Sequence, residues 1–212
     1  LTGTDTYAST GNGVIFASGR LSHFFGLQGP NLVIDTACSA SLIGVHLACE
    51  SLRNRSSDLA LAGGVHLMLA PQGYVLMSQL QALAPDGRSK TFDAAANGFG
   101  RGEGCGLVVL KRLSDAAAAG DTILALIRGS AINHDGHSRT VTTPNGQAQH
   151  DLLRQALRQA NLAPHQVQYV EAHGTGTELG DPIEVFAIAD AFCQGRAQAQ
   201  VGPLAIGSVK SN

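Results

Sequence analysis

Residues 32–42 change from the hydrophobic spacing of a strand to that of a helix, and this change constrains the fold more than any other part of the chain. Residues 32–34 form an apolar run that predicts a short buried strand. From Cys38 onward apolar side chains recur every three or four residues, at Cys38, Leu42, Val45, Cys49 and Leu52. The pattern therefore predicts a strand, a tight turn and then a helix, with Cys38 at the start of the helix.

The position of Cys38 favours a reactive thiol. The first turn of a helix has unpaired N–H groups and the positive end of the helix dipole, and both favour a negative charge. A thiol with an ordinary pKa of about 8.5 is mostly protonated at neutral pH, so such a site would raise the fraction of the nucleophilic thiolate. The small residues Ala37, Ser39 and Ala40 leave room for a substrate. The alternative is a buried structural cysteine, which is the commoner fate of this residue type.

Helical and strand-like patterns alternate along the rest of the chain. Helices are predicted for residues 11–25, 38–54, 71–83, 114–119 and 147–161. Strands are predicted for residues 59–61, 107–110, 122–132, 167–170 and 204–206. This alternation, without repeats or linkers, indicates a layered α/β domain with a largely parallel sheet.

Composition narrows the class of protein. Hydrophobic residues make up 44% of the 212 positions and charged residues 14%, against about 25% charged residues in a typical soluble domain. We therefore expect much of the surface to be covered by a partner or by another part of the same protein. The net charge of −2 gives no reason to expect nucleic-acid or membrane binding.

The cysteines and the hydrophobic runs indicate the cellular environment. The chain has four widely spaced cysteines and no C-x-x-C motif, which predicts reduced thiols in a cytoplasmic enzyme. No apolar run approaches the roughly 18 residues of a membrane span, and no stretch resembles a signal peptide.

A second candidate reactive stretch covers residues 171–184. His173 directly follows a predicted strand, at the kind of strand end where α/β proteins bind their ligands. A Gly-Thr-Gly-Thr loop comes next, and then Asp181 is predicted to cap a helix, with Glu184 completing a capping box. A loop fixed at both ends suits a catalytic histidine, although a structural histidine held by hydrogen bonds would fit the same pattern.

Two other motifs are weaker. The glycine-rich residues 99–106 contain no G-x-G-x-x-G pattern and lead into a strand, whereas a nucleotide-binding loop opens a helix. His134 and His137 lie in a turn without further ligands nearby in the sequence, which argues against a zinc site. No metal site is predicted.

Three ordered motifs resemble one known family. Residues 35–42 (DTACSASL), 171–177 (EAHGTGT) and 207–212 (GSVKSN) resemble the β-ketoacyl synthase (ketosynthase) domain of modular type I polyketide synthases and related fatty-acid synthases. Residues 59–65, 83–88 and 101–104 also look like that family. The resemblance covers essentially the whole chain.

The resemblance implies a thiolase-like fold with α-β-α-β-α layers, in a protein that is usually a homodimer. Residues 1–212 are expected to form a partial domain, namely the end of its N-terminal half and the start of its C-terminal half. In the family the Lys-Ser-Asn motif is followed by a second catalytic histidine and later by a glycine-rich loop, and this chain contains neither. We therefore expect an internal fragment that is inactive on its own, because losing one member of a catalytic set costs orders of magnitude in rate.

The resemblance also implies a reaction, a decarboxylative Claisen condensation in polyketide or fatty-acid biosynthesis. Cys38 would carry the acyl chain as a thioester, and His173 would assist decarboxylation of a malonyl-type extender. Lys210 would tune the electrostatics of the histidine and the cysteine, as a buried ammonium lowers the pKa of a nearby thiol. Thr175 and Thr177 match positions that bind the phosphopantetheine arm of an acyl carrier protein. No cofactor of its own is implied, and adjacent acyltransferase and other synthase domains are expected partners.

Two other functions remain open from the sequence. A thiolase-like enzyme of degradative thiolysis would share the cysteine-bearing half, but its sequence would not be expected to contain the His-Gly-Thr-Gly-Thr stretch. A non-catalytic ketosynthase homologue would act as a scaffold for dimerisation and carrier docking. Such homologues usually lose the cysteine or a histidine, whereas this chain has both Cys38 and His173.

Overall fold

The computed structural model describes residues 5–212. The chain divides into two units. The first unit comprises the described part of Leu1–Val65 together with Cys105–Ala125, and the second comprises His66–Gly104 together with Leu126–Asn212. Each unit is described by itself below.

Seven α-helices and four strands are found in residues 5–212. The helices are α1 (Ala8–Asn12), α2 (Ile15–Phe25), α3 (Ala40–Arg53), α4 (Gln72–Gln79), α5 (Leu113–Ala119), α6 (Gly146–Ala160) and α7 (Gly180–Phe192). The strands are β1 (Leu59–His66), β2 (Gly104–Lys111), β3 (Tyr169–Glu171) and β4 (Ala205–Gly207). Short 3-10 turns cover Ala37–Ser39, Pro164–Gln166 and Val209–Ser211.

The helix predictions are confirmed, with shifted ends, because apolar spacing is a local property of the chain. The region 11–25 contains the end of α1 and all of α2, and α2 ends as predicted at Gly26, whose φ of 65° lies in the left-handed region. The helix after Cys38 begins at Ala40, so Cys38 lies in the 3-10 turn just before α3.

In the first unit, β1 and β2 pair to form a two-stranded sheet. Arg112, just after β2, ties this sheet to the end of α3. Its guanidinium donates to the carbonyl oxygens of Leu52 at 2.9 Å and Ser57 at 2.7 Å, and to Asp115 at 2.6 Å. The guanidinium also donates to the carboxylate of Asp58. The hydrogen bonds to Asp58 and Asp115 raise the pKa of Arg112, and the one to Asp58 is the largest cause. The end of α3 is thereby held in place.

The second unit has its own hydrophobic core between α6, α7 and the strands β3 and β4. Its buried members are Leu157, Ala172, Ile188, Ala191 and Phe192. β3 and β4 are parallel, with Val170 opposite Ile206, in agreement with the predicted sheet type. The side chain of Asn145 caps α6 by accepting hydrogen bonds from the N–H groups of Gln147 and Ala148. The core thus fixes Ala172, the residue that precedes His173.

Two of the predicted strands are wrong. Within residues 5–212, residues 32–34 and 122–132 have no strand assigned to them. Leu32 and Val33 are exposed rather than buried, and Leu124 is 94% exposed. A strand is defined by hydrogen bonds to a neighbouring strand, and an apolar run indicates only that a segment would suit such a position.

Large apolar side chains are exposed in both units. In β2 the consecutive residues Leu107, Val108 and Val109 are all exposed, so both faces of this strand carry uncovered apolar surface. Helix α2 has no buried residue, although Phe24 and Phe25 lie on it. Uncovered apolar surface on this scale marks regions that bind other protein. Within residues 5–212, none of the helices is long and apolar enough to cross a membrane.

We expect residues 1–212, produced alone, to self-associate because of this exposed apolar surface. Gel filtration should show oligomers or aggregates, and a dye that binds apolar surface should fluoresce strongly. Val109→Lys should reduce dye binding, since Val109 is 66% exposed on β2, whereas Ser114→Lys on α5 should not. Elution of the unmodified chain as a clean monomer without dye binding would contradict this expectation.

Candidate active site

The loop that begins with His173 is fixed by a carboxylate from α7. The backbone N–H of Ala172 donates to the carbonyl oxygen of Gly207 at 2.8 Å, which continues the β3–β4 pairing. The N–H of His173 then donates to Oε1 of Glu184 at 2.6 Å, and the N–H of Gly174 donates to Oε2 at 2.8 Å. One carboxylate therefore accepts hydrogen bonds from two consecutive peptides at the point where the strand ends.

The carbonyl oxygens of His173 and Gly174 accept hydrogen bonds from the segment that follows β4. Nζ of Lys210 donates to the carbonyl oxygen of His173 at 2.6 Å, and Oγ of Ser208 donates to that of Gly174 at 2.9 Å. Glu171 anchors this segment by accepting a hydrogen bond from the N–H of Val209 at 2.6 Å. The hydroxyl of Tyr169, followed by the N–H of Val209, lowers the pKa of Glu171, which keeps it an acceptor.

Asp181 fixes the middle of the loop and does not act as the predicted helix cap. α7 begins at Gly180, and Asp181 is 4% exposed within its first turn. Its carboxylate accepts hydrogen bonds from the N–H groups of Gly176 at 3.1 Å, Thr177 at 3.4 Å and Phe92 at 2.8 Å. The predicted capping box is wrong for the same reason, because Glu184 binds the residues at the His173 end of the loop rather than the N-cap residue.

Two glycines allow the loop to adopt this path. Gly174 has a φ of +42°, and a Cβ at this position would lie 2.6 Å from Cγ2 of Thr91. Gly176 has a φ of +77°, and a Cβ there would lie 2.7 Å from the backbone nitrogen of Lys90. Any other residue would be strained at both positions and would collide with residues 90–91.

The imidazole of His173 is biased toward its neutral form. His173 as a whole is exposed to solvent. The protein atoms packed around its ring still displace water, and this desolvation, followed by the positive charge of Lys210, lowers the pKa of His173 below its usual value of 6.5. The carboxylates of Glu184 and Asp181 oppose this shift without overcoming it. A neutral imidazole has one N–H donor and one lone pair, so it can donate a hydrogen bond or accept a proton.

The two threonines of the loop have unequal surroundings. Their hydroxyl oxygens lie 3.3 Å apart. Oγ1 of Thr177 also accepts a hydrogen bond from the N–H of Gly180 at 3.2 Å, at the start of α7. The Thr177 hydroxyl is thus oriented by the helix, whereas that of Thr175 has only Thr177 as its hydrogen-bond partner within residues 5–212.

Cys38 lies in the first unit, in the 3-10 turn before α3, and is exposed. The preceding Ala37 has a φ of +53°, which is unusual for a residue with a Cβ. The turn is held by Asp35, whose Oδ1 accepts from the N–H of Ala37 at 3.0 Å, and by Ser39, whose hydroxyl donates to the carbonyl oxygen of Thr36 at 3.0 Å. A strained, well-held turn that exposes its side chain suits a nucleophile. That the Cys38 thiol and His173 act in one reaction stays a prediction.

Cys49 and His134 are not competing candidates for the site. Burial raises the pKa of Cys49, which makes it a poor nucleophile. Nδ1 of His134 accepts a hydrogen bond from the N–H of Gly136 at 2.9 Å, so this histidine supports its own turn. Across residues 5–212 no group of three or more histidine, cysteine or acidic side chains is arranged to hold a metal ion.

Sequence comparison identifies the family. The model for "Beta-ketoacyl synthase, N-terminal domain" matches residues 2–116, and the model for "Beta-ketoacyl synthase, C-terminal domain" matches residues 124–212. The chain belongs to the β-ketoacyl synthase family. The first match ends within α5, and the second begins at residue 124, after this helix.

Relatives of this β-ketoacyl synthase chain include large polyketide synthases of mycobacteria. Over 208 residues it is 54% identical to a phenolphthiocerol/phthiocerol polyketide synthase of Mycobacterium tuberculosis, covering 98% of this chain and 9% of that protein. It is 53% identical to a second phenolphthiocerol/phthiocerol polyketide synthase protein of the same organism, again over 98% of this chain but 13% of that protein. The chain therefore spans about a tenth of the length of these relatives.

Solved ketosynthases have the same fold as this chain. The ketosynthase from module 6 of the bacillaene synthase of Bacillus subtilis 168 is 45% identical with a TM-score of 0.90, covering 99% of this chain and 38% of that chain. The oxazolomycin ketosynthase domain OzmH KS7 of Streptomyces albus is 41% identical with a TM-score of 0.89, covering 97% of this chain and 36% of that chain. The predicted thiolase-like ketosynthase fold is confirmed, and this chain represents part of it.

The sequence predicted His173 and Lys210 as site residues, but the residues that hold them were missed. The structure brings Lys210 to the backbone of His173. Lys210 is exposed, and its effect on the Cys38 thiol stays a prediction. The supporting roles of Glu184 and Ser208 were missed. Glu184 lies 11 positions after His173. The sequence signal for its role was its place one helical turn after Asp181, on the side of the helix that faces the loop.

We expect Asp181→Asn to loosen the ketosynthase loop. The amide has one acceptor oxygen in place of two, so at least one of the three N–H groups, of which that of Gly176 is buried, loses its partner, at about 1–3 kcal/mol of stability. Thermal unfolding of the intact protein should shift by several degrees, and hydrogen exchange should accelerate at Gly176 and Thr177. The control Asp190→Asn changes an exposed carboxylate on the same helix. An equal effect of both variants would contradict this role.

We expect Lys210→Met to raise the pKa of His173, because it removes a positive charge that disfavours the imidazolium. NMR titration of the histidine in the intact protein measures this shift. Since the folded-state pKa lies below the unfolded-state value, protonation opposes folding, and the contribution of His173 to stability is lost as the pH falls below 6.5.

The matched control for this titration is Lys111→Met, which removes a lysine that pairs with Asp121. This variant should leave the pKa of His173 unchanged. A pKa that stays constant or falls in Lys210→Met would show that the ammonium does not act on the imidazole.

Proposed function

We propose that this chain supplies the nucleophile and a catalytic histidine of a β-ketoacyl-[acyl carrier protein] synthase that performs decarboxylative Claisen condensation. The thiolate of Cys38 attacks the carbonyl carbon of an acyl thioester on an acyl carrier protein and releases the phosphopantetheine thiol. A malonyl-type extender on a second carrier arm then loses CO2, and the electron pair of the broken C–C bond forms an enolate. The enolate carbon attacks the acyl group, the thiolate of Cys38 leaves, and the product is a β-ketoacyl chain extended by two carbons.

His173 stabilises the enolate in this proposal. The negative charge that develops on the extender's thioester oxygen needs a hydrogen-bond donor fixed in place before the reaction. An imidazole with a lowered pKa remains neutral near pH 7, so it can donate this hydrogen bond without first losing a proton. Its backbone is held on both sides by Glu184 and Lys210, which fixes the point from which the imidazole extends.

Lys210 supports His173 through its backbone and through its charge. Its ammonium donates to the His173 carbonyl oxygen and disfavours the imidazolium. The expected electrostatic effect on the Cys38 thiol remains part of the proposal. Thr175 and Thr177 are proposed to bind the phosphopantetheine arm, with the Thr177 hydroxyl oriented by Gly180. The substrates arrive on acyl carrier proteins, and this domain would bind no cofactor or metal of its own.

The observation that carries this proposal is the backbone of His173, which is held by Glu184 and Lys210 in a chain of this family. Residues 1–212 would form part of a ketosynthase domain, comprising the end of its N-terminal half and the start of its C-terminal half. Its exposed apolar strand β2 and helix α2 agree with a covered position in a larger protein. We propose a cytoplasmic homodimer, with adjacent acyltransferase and other synthase domains and with no nucleic-acid or membrane partner.

A non-catalytic scaffold is the second candidate. Exposed apolar surface would serve a scaffold for dimerisation and carrier docking equally well. The support of His173 by Glu184, Lys210 and Ser208 favours the enzyme, because a scaffold has no need for an oriented histidine.

Variants of the intact protein test the condensation proposal. Cys38→Ala should abolish both acyl transfer to the enzyme and condensation. His173→Ala should keep acyl transfer but lower condensation by about 10²- to 10⁴-fold, the usual contribution of a positioned acid or base. Mass spectrometry of the acylated enzyme and a product assay separate the two steps. Cys105→Ala is the control, since Cys105 is also exposed.

Iodoacetamide labelling distinguishes the enzyme from the scaffold. Preferential alkylation of Cys38 over Cys49, Cys105 and Cys193 supports a catalytic thiol. Slow and equal labelling of the exposed cysteines, together with no condensation by the unmodified protein, would support the scaffold and reject the enzyme.

A further inference from the structure

A segment far away in sequence contacts the His173 loop at two points and the first turn of α7 at a third. We define residues 90–98 as the clamp segment. Oγ1 of Thr91 donates to the carbonyl oxygen of Gly174 at 2.6 Å, across 83 positions of sequence. The N–H of Phe92 donates to Asp181 at 2.8 Å, and the N–H of Gly98 donates to the carbonyl oxygen of Gly176 at 2.9 Å. The clamp segment therefore contacts the beginning and the middle of the His173 loop.

The clamp segment adopts a strained backbone in order to make these contacts. Phe92 has a φ of +62°, which costs an ordinary residue about 1 kcal/mol or more. Gly98 has a φ of +130°, and a Cβ at this position would lie 2.5 Å from the backbone nitrogen of Ala84. A strained conformation persists only where its surroundings enforce it, and it is often found at functional sites.

Thr91 completes the hydrogen bonding of the two residues at the start of the loop. Glu184 accepts from both N–H groups, and Lys210 donates to the carbonyl oxygen of His173. The carbonyl oxygen of Gly174 accepts from two hydroxyl groups, those of Thr91 and Ser208. All four backbone polar groups of His173 and Gly174 are thus occupied, and Thr91 supplies the one side chain that comes from the clamp segment.

The methyl group of Thr91 also closes the space above the loop. Gly174 is buried, and its missing Cβ would lie 2.6 Å from Cγ2 of Thr91. The hydroxyl of Thr91 thus orients the carbonyl group of Gly174, and the methyl group of Thr91 leaves no space for other positions of the Gly174 backbone. This carbonyl lies in the peptide that joins Gly174 to Thr175. Rotation of that peptide would displace Gly174, which directly follows His173, and would thereby shift the backbone that carries the imidazole.

We propose that Thr91 is a positioning residue for His173, acting through its hydrogen bond to the carbonyl oxygen of Gly174. This inference rests on the proposed function, in which the imidazole must point at the extender's oxygen during decarboxylation. Thr91 does not touch the reacting atoms. Its loss should therefore affect the condensation step, whereas acyl transfer to Cys38 should remain.

The test compares Thr91→Val with Thr91→Ser in the intact protein. Valine keeps the shape and removes the hydroxyl, and serine keeps the hydroxyl and removes the methyl. Thr91→Val should lower kcat for condensation about tenfold, because small misplacement of a catalytic group has effects of this order or larger. Acylation of Cys38 should be unchanged, and Thr91→Ser should retain most of the activity. Thr142→Val is the control, since Thr142 is exposed and its hydroxyl contacts only Thr140.

NMR titration of His173 provides a readout that does not depend on activity. Freed from its position, the ring should become more exposed, and its pKa should rise toward 6.5 in Thr91→Val but not in Thr91→Ser. If Thr91→Val does not fold, Ser208→Ala removes the second hydroxyl donor to the same carbonyl and should shift the titration in the same direction.

Each outcome separates this inference from the proposed function. Unchanged titration and unchanged kcat in Thr91→Val would overturn the positioning role, as would equal losses in the valine and serine variants. A shifted titration in Thr91→Val, in a protein whose His173→Ala variant condenses normally, would retain the positioning role and reject the catalytic role of His173.

Discussion

The contact between Glu184 and the N–H groups of His173 and Gly174 is the interaction on which the rest of the candidate site depends. Where β3 ends, the peptides lose their regular partners in the sheet, and Gly174 turns into the left-handed region. Buried N–H groups need an acceptor, and a carboxylate can bind two of them at once. Asp181 does the same for the next turn of the loop. Because the two acids lie three positions apart, they share one face of α7, and the first turn of this helix serves as the support of the loop.

Much of this arrangement could be predicted from the sequence, and the reason is that the signals were local. The spacing of apolar residues predicted α2, α3 and α6 to within a few residues, and Gly26 ended α2 as expected. His173 follows β3 closely, as the strand pattern indicated. The strands predicted at residues 32–34 and 122–132 were wrong because a strand needs a hydrogen-bonded neighbour, and the identity of that neighbour is not encoded in the strand's own pattern.

The parts that could not be predicted depend on contacts between distant residues. Asp181 and Glu184 have the spacing of helix-capping residues, and only the path of the preceding loop decides which N–H groups they accept from. Thr91 lies 83 positions before Gly174 in a stretch with no distinctive periodicity, so no local pattern indicates its hydroxyl as a donor to the loop. The left-handed backbone of Phe92 could not be predicted from the sequence either, because Phe is not a residue type that favours this conformation.

The lowered pKa of His173 depends more on the protein atoms packed around its ring than on the charge of Lys210. Lys210 is exposed, so dissolved ions and water weaken its Coulomb effect on the imidazole. Partial burial is the larger cause of the lowered pKa, and salt does not remove it. The hydrogen bond from Nζ to the His173 carbonyl oxygen is likewise short-ranged. A rise in ionic strength should therefore leave the pKa of His173 lowered and the imidazole in place. Asp181, Glu184 and the clamp segment hold the loop, while the charges of the two carboxylates themselves favour the imidazolium.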